Sequence, residues 1–150
     1  MRHSRRVVAG SHVCRDLWDR YLCANLARKA AMGCGLPVQD AAEIALCAAE
    51  LASNAVRHGK RGVLDVFVLH EDKAGIELRC ADEGPGFIDV NAALTDGWSR
   101  GRPLKPEDST RDGLGTGLGA IRRLMDELEV DSTTTGSVVT ARRWARPRRS

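Results

Sequence analysis

Apolar residues change their spacing along the chain, and each change predicts an element. From His12 to Met32, Val13, Leu17, Tyr21 and Ala24, and then Leu22 and Leu26, recur at helical intervals. Ser11 is the expected N-cap of this first helix, and Gly33 and Gly35 break its pattern. Pro37 suits the first turn of a second helix running through AAEIALCAAELASNAVRH to Gly59, a residue suited to a left-handed cap. One face of that helix carries Ile44, Ala48, Leu51 and Ala55 and is expected to pack. The other carries Glu43, Cys47, Glu50, Asn54 and His58.

The remaining elements read as strands and one more helix. Arg5 to Ala9 gives a weak edge-strand signal. Val63 to Leu69, rich in β-branched and apolar residues, reads as a central strand. Ile76, Leu78 and Cys80 alternate with Glu77 and Arg79, which predicts a second strand paired to it in an antiparallel hairpin. No period survives from Ile88 to Asp112, apart from one helical turn's worth of residues around Val90 to Leu94. A loop of that length inside a compact domain is usually functional or disordered. Glycines from Gly113 to Gly119 then open a helix, AIRRLMDEL, with Ile121, Leu124, Met125 and Leu128 inward. Leu128 to Thr134 and Ser137 to Trp144 close the chain as a hairpin about Thr135 and Gly136. The expected fold class is α+β: one domain over 1–150, a two-layer sandwich of helices on one face of a mixed, mainly antiparallel sheet.

Charge and cysteine content narrow the classes of function. The chain of 150 residues carries a formal charge of +3, but Arg142, Arg143, Arg146, Arg148 and Arg149 crowd its end. Removing those five positive charges from +3 leaves −2 for the body, so a basic nucleic-acid module is not expected. Residues 142–150 are expected to form a solvated basic tail. The five cysteines are scattered with no C-x-x-C pair, which argues against zinc and against a disulfide framework. No signal peptide or apolar run of membrane-spanning length is visible. The expected setting is cytoplasmic, without membrane partners.

Three segments carry candidate chemistry. Glu50 and Asn54, four residues apart, project from one helix face and offer a proton acceptor and a metal ligand. Asp82, at a strand exit followed by Gly84 and Gly86, offers a fixed acceptor beside backbone that a flat ring can approach. Gly113 to Gly119 lead into a helix, where exposed amides suit a phosphate chain. Gly115, Gly117 and Ala120 match G-x-G-x-x-A, but no strand precedes them, so a dinucleotide fold is not indicated. No G-K-[ST] exists, which excludes a P-loop. Each segment alone has a bland reading: a solvated helix face, an ordinary Asp-Glu-Gly-Pro-Gly turn, a glycine hinge. His58 reads as a cation complementing the end of its helix.

Taken in order, Glu-Leu-Ala-Ser-Asn (50–54), Asp-Glu-Gly-Pro-Gly-Phe (82–87) and Gly-Leu-Gly-Thr-Gly-Leu-Gly (113–119) resemble the N, G1 and G2 boxes of the GHKL ATPase superfamily. The resemblance implies the Bergerat fold, with ATP held between the helix layer and a mobile lid, here about 88–112. It implies that Asn54 coordinates Mg²⁺ and that Asp82 accepts from the adenine amino group. Gly84 and Gly86 would shape the adenine pocket, with Ser137 supporting adenine through water. Backbone at Gly113, Gly115, Thr116, Gly117, Leu118 and Gly119 would cradle the phosphates, and Glu50 would be the general base. Arg100, Lys105 or Arg111 would meet the γ-phosphate. Asp96 to Gly101 and the stretch from Gly113 to Val130 look most like the stressosome switch kinases within the anti-sigma branch. That implies a serine/threonine protein kinase acting on a STAS-domain partner, with a serine phosphatase as a second partner. The alternative is an anti-sigma factor sequestering a sigma factor in a nucleotide-dependent way; a third reading is a nucleotide-binding scaffold without transfer activity.

Overall fold

The structure is a computed structural model; it describes residues 5–58, 60–84, 98–99, 102–103 and 117–146. Its elements run β1 (Arg5–Cys14), α1 (Asp19–Gly33), α2 (Val38–His58), β2 (Gly62–His70) and β3 (Ala74–Asp82). There follow β4 (Trp98–Ser99), β5 (Arg102–Pro103), α3 (Leu118–Leu124), β6 (Glu127–Thr133) and β7 (Gly136–Trp144). Five strands form one sheet in the order β1-β2-β3-β7-β6, every neighbouring pair antiparallel. Among the described residues β4 and β5 pair with each other as a separate two-stranded ribbon. The α+β layering expected from the spacing is what the chain adopts.

Alternation on the interior strands explains the two faces. Leu64, Val66, Ile76, Leu78, Cys80, Val139 and Ala141 point to the helices and are buried. On the opposite face a charged row crosses the sheet. Glu77, only 1% exposed, accepts from Arg6 at 2.9 Å and from Arg142 at 2.7 Å, with the Arg6 guanidinium 4.3 Å above the Phe67 ring. A carboxylate is tolerated so deep because two cations face it. In α2 the expected packed residues Ile44, Ala48, Leu51 and Ala55 are buried, but so are Cys47, Ala49, Glu50, Ala52 and Ser53. Small side chains let α1 approach closely with its own Cys23, Ala27 and Ala31, so this helix is enclosed on more than one side.

Four expectations need correction. The first helix does not begin after Ser11: residues 5–14 pair along the whole of β2, with an irregularity between Val8 and Gly10. An open strand edge offered ten backbone-pairing residues, and the β-branched Val7, Val8 and Val13 suit a strand better than a helix. Ser11 therefore donates across the strands to Asp65 rather than capping. The start of α1 is organised by Asp19, which accepts from the amides of Arg15 at 2.7 Å and Asp16 at 3.0 Å. The first helix also turns a different face inward, leaving Val13, Leu17, Tyr21 and Leu22 exposed. The third helix is shorter than expected, because Met125 is already extended and Glu127 enters β6.

The basic tail is the fourth. β7 runs through Arg142 and Arg143, and Arg143 is 5% exposed on the inner face of the sheet. Its guanidinium bonds Asp40 and Glu43 in the first turns of α2 and the Leu124 carbonyl at the end of α3. A solvated tail therefore cannot begin at 142. The turn around Val90 to Leu94, Gly59 and the far end of the tail lie outside the described residues, as does nearly all of the expected lid.

Candidate functional site

Register places the polar end of the cleft. Asp82 and Ser137 are partners in the β3–β7 ladder, as are Cys80 and Val139 one pleat further in, and all four face the helices. Gly136 makes this approach possible: a Cβ there would lie 2.6 Å from the Asp82 carbonyl oxygen. Ser137 Oγ donates to Asp82 Oδ2 at 2.9 Å, and the Gly84 amide donates to Oδ1 at 2.9 Å. Each carboxylate oxygen keeps a second lone pair, so Asp82 is a fixed acceptor with capacity left for a ligand N–H.

Around this carboxylate lies a narrow cleft open to solvent. Asn54 and His58 stand on the α2 wall, Asp82 and Ser137 on the strand wall, and Leu118 of α3 beneath. Leu51, Ala55, Cys80 and Val139 complete an apolar lining. An apolar slot with a few convergent polar groups is the usual form of a small-molecule site. Burial raises the Cys80 thiol well above its ordinary value, and it donates to the Leu51 carbonyl at 3.7 Å, so this sulfur is lining and not a nucleophile.

Glu50 sits one turn before Asn54 on α2 and is 2% exposed. Its Oε1 accepts from the Gly117 amide at 3.1 Å. Gly117 precedes α3 with φ +64° and ψ −153°, a conformation that only glycine adopts without strain. Gly117 is thus tied to the carboxylate of the second helix, 67 residues earlier in the chain. Gly119 is buried within α3.

The structure thus brings Asn54, Asp82, Leu118 and Ser137 together on one cleft, sets Gly84 on Asp82, and joins Glu50 to Gly117. Gly86, Gly113, Gly115 and Thr116, together with Arg100, Lys105 and Arg111, lie outside the described residues. Five lining residues were not picked out as site residues: Leu51, Ala55, His58, Cys80 and Val139. Two of them had a signal, since Cys80 and Val139 lie two positions inward from Asp82 and Ser137 and so share their face. Among the described residues no group of three His, Cys, Asp or Glu side chains could hold a metal ion. Asn54 supplies one hard oxygen donor, which fits Mg²⁺: that ion keeps several waters and takes phosphate oxygens, not a cage of protein ligands.

Residues 20–143, which include every described element of the cleft, match the family model for the histidine kinase-like ATPase domain. The chain belongs to that family. Its relatives include the serine/threonine-protein kinase RsbT of Bacillus subtilis strain 168, 31% identical over 131 residues, or 86% of this chain and 91% of that protein. They also include the anti-sigma F factor of Thermoanaerobacter sp. strain X514, 26% identical over 98 residues and 64% of each chain. The histidine kinase domain of the Erythrobacter litoralis EL346 blue-light activated kinase aligns at TM-score 0.46 and 18% identity, over 89% of this chain and 69% of that one. By family and by its RsbT kinship this ATPase domain is a kinase. No helix among the described residues is long and apolar enough to cross a membrane.

Proposed function

We propose that this domain is an ATP-dependent serine/threonine protein kinase that phosphorylates a STAS-domain partner and thereby acts as a regulatory switch. The observation that carries the reading is the doubly donated Asp82 carboxylate lining a largely apolar cleft that Asn54 of α2 also lines. Asp82 would accept from the exocyclic amine of adenine, and Ser137 and the Gly84 amide hold it in place. Leu118, Leu51 and Val139 would pack on the base. Asn54 would hold Mg²⁺, which neutralises charge on the phosphates when bound. Gly86 would extend the adenine pocket, and Gly113, Gly115, Thr116, Gly117 and Gly119 would present amides to the phosphate chain.

Glu50 is the general base of this reading. Its present bond to the Gly117 amide links base and cradle. A phosphate oxygen that takes the Gly117 amide would leave Glu50 Oε1 to accept the proton of the attacking hydroxyl. The hydroxyl oxygen then bonds phosphorus as the bond to ADP breaks. A serine phosphatase is the second expected partner, and the setting is cytoplasmic.

The similarity to anti-sigma F factor favours a second reading, in which a sigma factor is bound and the nucleotide sets the shape of the binding surface. Incubation with γ-labelled ATP and a STAS-domain protein separates the two. Label should appear on a Ser or Thr of the partner, and Glu50→Gln should lower its rate roughly 100-fold or more while nucleotide still binds. Unlabelled partner despite bound nucleotide would remove the kinase reading.

A further inference from the structure

The pair Cys14 and Cys23 lies outside everything the nucleotide site uses. Cys14 ends β1, Cys23 lies on the buried face of α1, and their sulfurs are 3.8 Å apart. Cys23 is fully enclosed, at 0% exposed. Cys14 has a second side: it lines an open cleft of about 780 Å³, solvent space included, between β1 and the end of α2. Arg15, Lys60 and Arg61 also line that cleft, with Ala55 and Val56 as its apolar wall. No other pair among the five cysteines is in hydrogen-bond contact; Cys34 donates to the Ala31 carbonyl and Cys80 to that of Leu51.

We propose that Cys14 and Cys23 are an oxidisable dithiol, in which Cys14 attacks hydrogen peroxide entering through this cleft and Cys23 closes the disulfide. The Cys14 thiolate attacks one peroxide oxygen; the S–O bond forms, the O–O bond breaks, and the departing hydroxide takes a proton and leaves as water. Sulfur is oxidised to the sulfenic acid and peroxide is reduced. Cys23 sulfur then attacks Cys14 sulfur, the S–S bond forms, the S–O bond breaks, and the Cys23 proton leaves with hydroxide as a second water. Two thiols and one peroxide give one disulfide and two waters. The sulfurs must close from 3.8 Å to about 2.05 Å, a movement available at the last residue of a strand.

The surroundings assign the two roles. Hydrogen bonding from Cys23 holds the Cys14 thiol below its ordinary value, against the opposing effect of burial, and the same bond with burial raises Cys23. Of the two sulfurs only that of Cys14 meets the cleft, so it is the one a solute reaches. Arg15, Lys60 and Arg61 around the cleft attract an anionic reagent, while the Asp19 carboxylate opposes charge on Cys14 itself. Burial instead pushes the Cys47 thiol up to about 12 and raises Cys80.

The test uses the whole folded chain, treated with hydrogen peroxide, then alkylated and cleaved at its arginines and lysines. Peptides 7–15 and 21–28 should appear joined, with three free thiols left of five. Cys23→Ser should stop at a Cys14 sulfenic acid that a dione reagent traps. As a check independent of that variant, the dianionic reagent 5,5′-dithiobis(2-nitrobenzoate) should modify wild-type Cys14 before the buried thiols Cys47 and Cys80. Arg15→Glu with Lys60→Glu should slow that step roughly tenfold. Five intact thiols after peroxide, a disulfide through Cys80, or Cys14 reacting no faster than Cys47 would each overturn the proposal.

Discussion

Two donors, the Ser137 hydroxyl and the Gly84 amide, each occupy one oxygen of Asp82 and orient the lone pairs that remain. Asp82→Asn removes the charge and turns one acceptor into a donor facing an amine. We expect a loss of about 1.5–3 kcal/mol in adenine-nucleotide affinity, roughly 10- to 150-fold in Kd. Ser137→Ala leaves the carboxylate in place and should cost about 1 kcal/mol. Fluorescence competition with an adenine nucleotide measures both, and a Ser137 effect larger than that of Asp82 would reverse their roles. Arg143→Met should destabilise the fold by roughly 2–3 kcal/mol, less than the 3–5 typical of a fully buried pair, because Asp40 and Glu43 keep some water. Urea unfolding reads that value, and an unchanged midpoint would contradict the bridge. At this scale motif order pointed to Asp82, Glu50 and Asn54 and family resemblance to Ser137, and Asn54, Asp82 and Ser137 do line one cleft. Neither pointed to Arg143, which composition placed among tail arginines: burial of a cation depends on partners 100 and 103 residues away in the chain.

At the scale of elements, α2, β2, β3 and the closing hairpin were legible because their apolar periods run long enough to choose between helix and strand. β1 was legible only in its first half, the edge strand expected over Arg5 to Ala9; its continuation to Cys14 depends on the free edge of β2. The start of α1 then moved from Ser11 to the turn held by Asp19. Asp19 is held down to about 2, chiefly by its hydrogen bond to His12 at 2.7 Å and then by the Asp16 and Arg15 amides. A carboxyl depressed from 3.8 contributes stability that is complete above about pH 4 and lost as pH falls toward 2. Amide protection in the first turn of α1, taken relative to the intrinsic exchange rate at each pH, should therefore fall through that window. Asp19→Asn should remove the dependence, and an unchanged profile would show that Asp19 does not hold the turn. Gly117→Ala tests the entry to α3: its positive φ should carry a strain of about 1–3 kcal/mol. Nucleotide turnover should fall with it, while the hairpin of β6 and β7 keeps its exchange protection.

For the whole molecule, the sheet separates two kinds of charge. Its outer face closes on itself through Arg6, Glu77 and Arg142, while Asp82 and Ser137 on the inner face line a cleft with Asn54 of α2. Truncation after 146 would test a tail role without touching β7, whereas removing 142–150 cuts into the sheet. The direct test of the central claim is calorimetric titration of the full chain with Mg·ADP, beside Asp82→Asn. Wild type should give a saturable one-to-one heat that the variant loses or weakens at least tenfold. No heat from wild type, or equal heats from both proteins, would contradict an adenine site at Asp82.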